Sequence, residues 1–176
     1  MKKVRTKSYC DVCESSFGSC SCCTRYIDMY EYSQGDIFQS GAEALVNPCN
    51  TVGAMGAGLA LAFKRKFPAM NKDYVKFCNE GKLRPGVMHV WEGDNPKFII
   101  NFPTKEHYVQ DSKLEYITKG LEALKQVVEE KEIKSIAVPA IGTGLGNLSW
   151  DIVKPLLEEF ADSLPEYCKV IIYEPH

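Results

Sequence analysis

The chain has 176 residues, of which 45 % are apolar and 25 % charged, and its formal net charge is −2 at pH 7. This length suits one domain with a sizeable core. No apolar run reaches the roughly 18 residues that a membrane span needs, and the basic N-terminus lacks the apolar stretch of a secretory signal. The composition argues against a membrane protein and against a strongly basic nucleic-acid-binding protein, so we expect a soluble, cytoplasmic monomer.

Five of the eight cysteines lie within residues 10–23, in the pattern C-x2-C-x6-C-x-C-C. In a cytoplasmic chain such clustering favours zinc over disulfides, with a disulfide knot or unligated thiols as alternatives. Two C-x2-C pairs would complete a tetrahedral structural zinc site. Its predicted ligands are Cys10, Cys13, Cys20 and Cys23. We therefore divide the chain into a Cys-rich extension, residues 1–26, and a domain, residues 27–176.

The domain alternates strand-like and helix-like segments. Predicted strands cover residues 26–32, 44–50, 87–92, 97–102, 135–141 and 169–174, and predicted helices cover residues 55–66, 70–80, 113–131 and 150–160. Pro68 divides the first two helices because a helix interior does not tolerate proline. Residues 93–96 form a strong turn signal that predicts a hairpin. The pattern predicts an α/β fold with a mixed, about six-stranded sheet between two layers of helices.

Two glycine-rich loops, residues 50–58 and 142–147, each follow a strand-like segment and precede a helix. Glycine lets backbone N–H groups approach phosphate oxygens, and a helix N-terminus favours an anion. The spacing matches neither a dinucleotide fingerprint nor a P-loop. Two such loops in one small α/β domain could hold a diphosphate from both sides.

Residues 54–84 are rich in lysine and arginine and adjoin the first glycine loop. A basic band at this place would suit a polyanionic substrate. The alternative is an ordinary solvated helix face.

Four motifs, in the expected order, resemble those of macrodomains. Residues 46–60 resemble the first ligand loop of that family, residues 139–146 resemble its phosphate-holding loop, and residues 35–37 resemble its adenine-binding Gly-Asp-Ile. Residues 99–108, Ile-Ile-Asn-Phe-Pro-Thr-Lys-Glu-His-Tyr, are similar to the DNA ADP-ribosyl glycohydrolase antitoxins of the DarT–DarG type. The terminal ADP-ribose protein glycohydrolases are more distantly similar. The resemblance covers about residues 28–175 and implies a three-layer α/β/α macrodomain.

The resemblance also implies an ADP-ribose site that includes both glycine loops. Asp36 would accept from the adenine amine and the N–H of Ile37 would serve the ring, while Tyr173 could stack on the adenine. Asp36 could instead only cap a turn, and Tyr173 could be a core-edge residue. The other predicted ligand-binding residues are Asn50, Gly53, Met55, Gly56, Gly58, Pro139, Ile141, Gly142, Thr143, Gly144, Leu145 and Gly146.

Lys105 is the predicted catalytic residue, because in the DNA-directed glycohydrolases a lysine holds this motif position. A lysine partly shielded from water can act as a nucleophile or a proton donor. Asn50 would hold the distal ribose, although an asparagine at this junction is also a common turn former. His107 could contact DNA or relay a proton. The alternative for Lys105 is a plain surface lysine.

One departure from the protein-directed glycohydrolases bears on the substrate. Those enzymes have an aspartate directly after Gly-x-Gly-Leu, where this chain has Gly146, and the DNA-directed branch also has glycine there. The resemblance therefore implies removal of ADP-ribose from a DNA base, with thymidine as the expected base, no cofactor for catalysis and a cognate ADP-ribosyltransferase toxin as partner. The alternatives are a non-catalytic ADP-ribose reader, an ADP-ribose 1″-phosphate phosphatase and a protein ADP-ribosyl glycohydrolase.

Overall fold

The computed structural model describes residues 9–10, 15–16 and 30–176 of the chain. The strands within these residues are β1 (Tyr9–Cys10), β2 (Ser15–Ser16), β3 (Tyr30–Ser33), β4 (Ala44–Cys49), β5 (His89–Glu92), β6 (Phe98–Pro103), β7 (Ser135–Val138) and β8 (Lys169–Tyr173). The helices are α1 (Gly58–Lys66), α2 (Pro68–Asn79), α3 (Leu114–Glu130) and α4 (Trp150–Ser163), with a short 3-10 helix over Ile37–Gln39.

Six of the described strands form one mixed sheet in the order β3-β8-β7-β4-β6-β5. All neighbouring pairs in it are parallel except β5 and β6, which form the predicted hairpin. The N–H of Gly93 closes this hairpin on the carbonyl of Lys97 at 2.9 Å. The mixed six-stranded sheet expected from the sequence is therefore confirmed. Because the five parallel strands all end at the same edge, the loops that follow them meet there, and we call this edge the ligand edge.

Helices cover both faces of the sheet, as β4 illustrates. Ala44 and Val46 point into a core that they share with α3 and α4. Leu45 and Cys49, the alternating residues, point into a second core with α1 and α2. Successive side chains of a strand project to opposite faces, so an apolar run such as residues 44–46 is typical of a strand buried on both sides. The three-layer arrangement is confirmed.

Two predicted helix starts differ from the structure by two residues or more. The first helix begins at Gly58 instead of residue 55, because the segment before it is held in a loop by Asn50 and by the burial of Met55. The second helix begins at Pro68, two residues earlier than predicted. A proline at the first position of a helix has no N–H that needs a partner, so Pro68 starts α2 as well as separating it from α1.

Two further boundaries moved by three residues. The strand predicted over residues 135–141 ends at Val138, because Pro139 has no N–H to donate to the sheet. The last helix continues to Ser163, past Pro155, because its apolar face stays buried against the sheet. Of the first predicted strand, Tyr30 to Tyr32 is confirmed within β3, and residues 26–29 lie outside the described part of the chain.

The predicted zinc site lies almost entirely outside the described residues. The backbone of Cys10 pairs with that of Ser15 in the short antiparallel pair of β1 and β2. Cys13, Cys20 and Cys23 lie in the undescribed segments. The zinc site remains a prediction. Among the described helices, none combines the length and the apolar character needed to cross a bilayer.

Candidate functional site

The first glycine loop is folded around the side chain of Asn50, which is only 4 % exposed. Its Oδ1 accepts from the N–H groups of Val52 at 3.1 Å and Ala54 at 3.2 Å, and its Nδ2 donates to the Ala54 carbonyl at 2.6 Å. Both ends of the amide are therefore used to shape the loop. The turn-forming alternative is confirmed, whereas the predicted contact with a ribose stays a prediction.

Tyr74 of α2 stabilises this loop through hydrogen bonds to Asn50. Its hydroxyl donates to the Asn50 carbonyl at 2.7 Å and lies 3.1 Å from Asn50 Oδ1. Burial, with the nearby thiols of Cys49 and Cys78, raises the pKa of the Tyr74 hydroxyl far above its usual value, so the hydroxyl stays protonated and able to donate. A residue of α2, the second helix after the loop, thus fixes the position of the loop's first residue.

The end of this loop leaves backbone N–H groups available at the ligand edge. Ala57 precedes α1, and its methyl side chain cannot cap the helix, so the first-turn N–H groups are suited to an anion. Among the described residues, no atom lies within 4 Å of the place where a Cβ at Gly56 would be. A Cβ at Gly58 would lie 3.7 Å from Leu145 Cδ1, which brings the two glycine loops side by side.

The second glycine loop is held by its own backbone. The N–H of Leu148 donates to the Gly142 carbonyl at 2.9 Å, and both the N–H and the hydroxyl of Thr143 donate to the Ala140 carbonyl. Gly142 has a φ of 76°, a conformation that favours glycine. Within the described residues the space beyond Gly144 is open, as it is at Gly56. One open glycine in each loop could therefore let a ligand approach the backbone.

Gly146 lies in a closed environment. The N–H of Ser112 donates to its carbonyl at 2.9 Å. A Cβ at Gly146 would lie 2.2 Å from Ser112 Oγ and 2.5 Å from the Gly142 carbonyl oxygen. No side chain fits this conformation of the loop, so the aspartate of the protein-directed glycohydrolases has no room here.

The loop after β6 joins the two glycine loops through Lys105 and Glu106. Lys105 Nζ donates to the Leu145 carbonyl at 3.0 Å and lies 3.4 Å from the Tyr108 carbonyl. The Glu106 carbonyl accepts from the N–H of Thr51 at 3.1 Å and from its hydroxyl at 2.9 Å. The Lys105 amine is thus fixed beside the second glycine loop, and the loop that carries it is attached to the first.

His107, the third predicted catalytic residue, packs its ring against that of Tyr108. The ring centroids of His107 and Tyr108 are 4.2 Å apart and the planes are inclined by 33°. His107 Nδ1 accepts from the N–H of Val109 at 3.4 Å. The structure places His107 in the loop that carries Lys105, and its role in proton transfer stays a prediction.

The residues predicted for adenine lie at the ends of β3 and β8. Asp36 Oδ1 accepts from the N–H of Phe38 at 2.9 Å and caps the short 3-10 helix, which confirms the capping alternative. Ile37 and Tyr173 are buried in the core that faces α1 and α2, and Tyr173 is thus a core-edge residue. Their contacts with adenine stay predictions.

The basic band is exposed, and its α1 part lies away from the glycine loop. Lys64, Arg65 and Lys66 occupy the last turn of α1, roughly 10 Å along the helix from its first turn. Contact with a polyanion stays a prediction for these side chains. Three supporting residues could not be predicted from the sequence, because their partners lie in other loops and no local pattern indicates them: Thr51, Tyr74 and Ser112.

Comparison with known proteins agrees with this geometry. The sequence model described as Macro domain matches residues 46–157. The DNA ADP-ribosyl glycohydrolase of Mycobacterium tuberculosis is 45 % identical over 150 residues, which cover 84 % of this chain and 42 % of that protein. The solved macrodomain of M. tuberculosis DarG has a TM-score of 0.81 at 43 % identity, covering 84 % of this chain and 98 % of that one.

A second relative comes from Thermosipho africanus. Its DarTG, solved in complex with ADP-ribose, has a TM-score of 0.76 at 32 % identity and covers 83 % of this chain and 41 % of that one. A sequence from the same organism, 32 % identical, is named a DNA ADP-ribosyl transferase–DNA ADP-ribosyl glycohydrolase fusion protein. The chain spans about two fifths of the length of these curated relatives. The sheet order, the paired glycine loops and these similarities together show that the chain belongs to the macrodomain family.

Proposed function

We propose that this domain binds ADP-ribose across its two glycine loops and hydrolyses the bond between ADP-ribose and a DNA base, with thymidine as the modified base. The observation that carries the proposal is the 3.0 Å contact between Lys105 Nζ and the Leu145 carbonyl. It fixes an amine at the border of the loop that would hold the phosphates. The relatives named DNA ADP-ribosyl glycohydrolases support the choice of reaction.

The pyrophosphate would lie between the open glycines, Gly56 and Gly144. Their missing side chains allow phosphate oxygens to approach backbone N–H groups, and the first turn of α1 adds further donors and a favourable dipole. A diphosphate held from both sides fixes the sugar next to it. Positioning of this kind supplies a large part of the rate in many enzymes.

In the reaction a water oxygen adds to C1″ of the distal ribose while the bond from C1″ to the base breaks. The electron pair stays with the base, which takes up a proton, and the products are ADP-ribose and the unmodified base. Lys105 either stabilises the transition state electrostatically or itself displaces the base before water releases the sugar. Both routes need the amine beside C1″.

The environment of Gly146 favours a DNA base over an amino-acid ester as substrate. The lysine–aspartate pair of the protein-directed enzymes needs a carboxylate at this position, and Ser112 Oγ and the Gly142 carbonyl occupy that space. A cognate ADP-ribosyltransferase toxin would produce the substrate. The Thermosipho fusion protein, whose name includes both activities, supports such a partner.

A panel of four substrates tests the proposal: thymidine-linked DNA, guanosine-linked DNA, Glu-linked protein and Ser-linked protein, each carrying ADP-ribose. We expect the wild-type protein to release ADP-ribose from thymidine-linked DNA. Release from Glu-linked protein alone would contradict the proposal. Tight ADP-ribose binding without release from any substrate would identify a reader, and phosphate release from ADP-ribose 1″-phosphate would identify a phosphatase.

A further inference from the structure

An aromatic pair, the half-buried His107 and the exposed Tyr108, lies next to the Lys105 amine. Tyr108 is 57 % exposed although its ring packs against that of His107. Val109, the next residue, is 75 % exposed, and Leu145, whose carbonyl accepts from the Lys105 amine, is 67 % exposed. Large apolar side chains grouped in this way at the border of a site are typical of a surface that contacts a ligand.

The backbone holds this pair in place. The Gln110 N–H donates to the His107 carbonyl at 3.1 Å, and Gln110 Oε1 accepts from the His107 N–H at 3.3 Å. On one side of the pair, the Glu106 carbonyl is bound by Thr51. The Tyr108 carbonyl faces the Lys105 amine while the Tyr108 ring points outward. The aromatic surface is therefore a fixed part of the loop.

We propose that His107 and Tyr108 stack on the base adjacent to the ADP-ribosylated nucleotide in single-stranded DNA. This inference rests on the proposed function. If C1″ lies beside Lys105 and the pyrophosphate lies between the glycine loops, the attached base must lie beyond the amine. The polynucleotide then continues across the residues that flank the amine, and these are Tyr108 and Leu145.

Stacking requires a base with an exposed face, which a single strand offers and an intact duplex does not. A stacked base adds affinity without selecting a sequence, since every base has a π-face. The aromatic pair would thus make the enzyme prefer an ADP-ribosylated oligonucleotide over the ADP-ribosylated nucleoside alone, and single-stranded over duplex DNA.

Turnover of two substrates by the 176-residue chain tests the inference. The substrates are ADP-ribosyl-thymidine and a single-stranded oligonucleotide that carries one ADP-ribosyl-thymidine. We expect kcat/KM to be about tenfold higher for the oligonucleotide, as one base–aromatic stack would give. Tyr108→Ala should bring this ratio to about 1 through KM, and Tyr108→Phe should keep it. Tyr167→Ala is the matched control and should leave the ratio unchanged, because Tyr167 is an exposed tyrosine before β8, at the opposite edge of the sheet.

Binding measurements test this inference independently of the proposed function. In a Lys105→Ala background, the dissociation constants of the ADP-ribosylated oligonucleotide and of free ADP-ribose are compared with and without Tyr108→Ala. Tighter oligonucleotide binding that depends on Tyr108 supports stacking, even if the wild-type protein released no ADP-ribose. Equal affinity for both ligands, or a preference that Tyr108→Ala leaves intact, would overturn the stacking inference whatever the turnover.

Discussion

Gly146 and Ser112 are packed so closely that the Ser112 side chain leaves no room for a side chain on Gly146. The Ser112 N–H donates to the Gly146 carbonyl at 2.9 Å, and a Cβ on Gly146 would lie 2.2 Å from Ser112 Oγ. This contact joins the loop before α3 to the second glycine loop. It also explains physically why the position that would distinguish protein-directed from DNA-directed glycohydrolases is a glycine here.

Gly146→Ala should therefore destabilise the protein. Insertion of a methyl group into a closed space costs about 1–3 kcal/mol, and we expect a loss of this size in the free energy of unfolding measured with urea. Gly144→Ala is the control, because its Cβ would enter open space among the described residues. We expect Gly144→Ala to stay within about 0.5 kcal/mol of the wild type. Equal stability of both variants would show that Ser112 does not confine Gly146.

Gly144→Val should separate folding from ligand binding. A valine fits the space beyond Gly144 but would occupy the place expected for a phosphate oxygen. We expect the affinity for ADP-ribose, measured by calorimetry, to fall at least about tenfold, or 1.4 kcal/mol. The unfolding transition should change little. Unaltered affinity would mean that the pyrophosphate does not pass this residue.

Tyr74→Phe should weaken the support of the first loop. It removes the hydroxyl that donates to the buried Asn50 carbonyl at 2.7 Å. Loss of a buried hydrogen bond costs about 1–2 kcal/mol, and we expect this loss in urea unfolding together with weaker ADP-ribose binding. Tyr167→Phe, which removes a hydroxyl from an exposed tyrosine, is the matched control. If Tyr74→Phe and Tyr167→Phe change the free energy of unfolding and the ADP-ribose affinity equally, Tyr74 does not support the first loop.

Gly120→Ala in α3 should also destabilise the protein, against the usual trend. Alanine ordinarily improves a helix interior by roughly 0.5–1 kcal/mol relative to glycine. Here the new Cβ would lie 2.2 Å from Cζ of the buried Phe102, and overpacking costs about 1–3 kcal/mol. The cost of overpacking exceeds the gain in helix stability, so we expect a lower melting temperature. Phe102→Leu should make the same change less costly, which a double-mutant cycle measures.

Local patterns predicted the sheet, the helices and the two glycine loops, because these features depend on periodicity and on glycine spacing. Two examples of correct predictions are the β5–β6 hairpin and the buried strand that contains Val46. The same patterns placed the start of α1 three residues early, because the hydrogen bonds between Asn50 and Ala54 are not visible in a helical periodicity.

Residue roles in the site were harder to predict than the fold. The amide of Asn50 shapes its own loop, and Asp36 caps a short helix, while the ligand contacts expected of both stay predictions. Tyr74 belongs to none of the motifs in the sequence, yet its hydroxyl fixes the first loop. Contacts between distant loops decide such roles, and a sequence alone does not show which loops meet.

The most direct test of the account is Lys105→Ala, assayed on thymidine-linked ADP-ribosyl-DNA and for ADP-ribose binding. A residue that acts in the transition state contributes about 10²- to 10⁴-fold, so we expect kcat to fall by at least about 100-fold. The affinity for free ADP-ribose should change by only about threefold, or less than 1 kcal/mol. Lys105→Arg, which retains the charge, would regain activity if the role is electrostatic. Clearance of the substrate by Lys105→Ala at the wild-type rate would contradict the central claim.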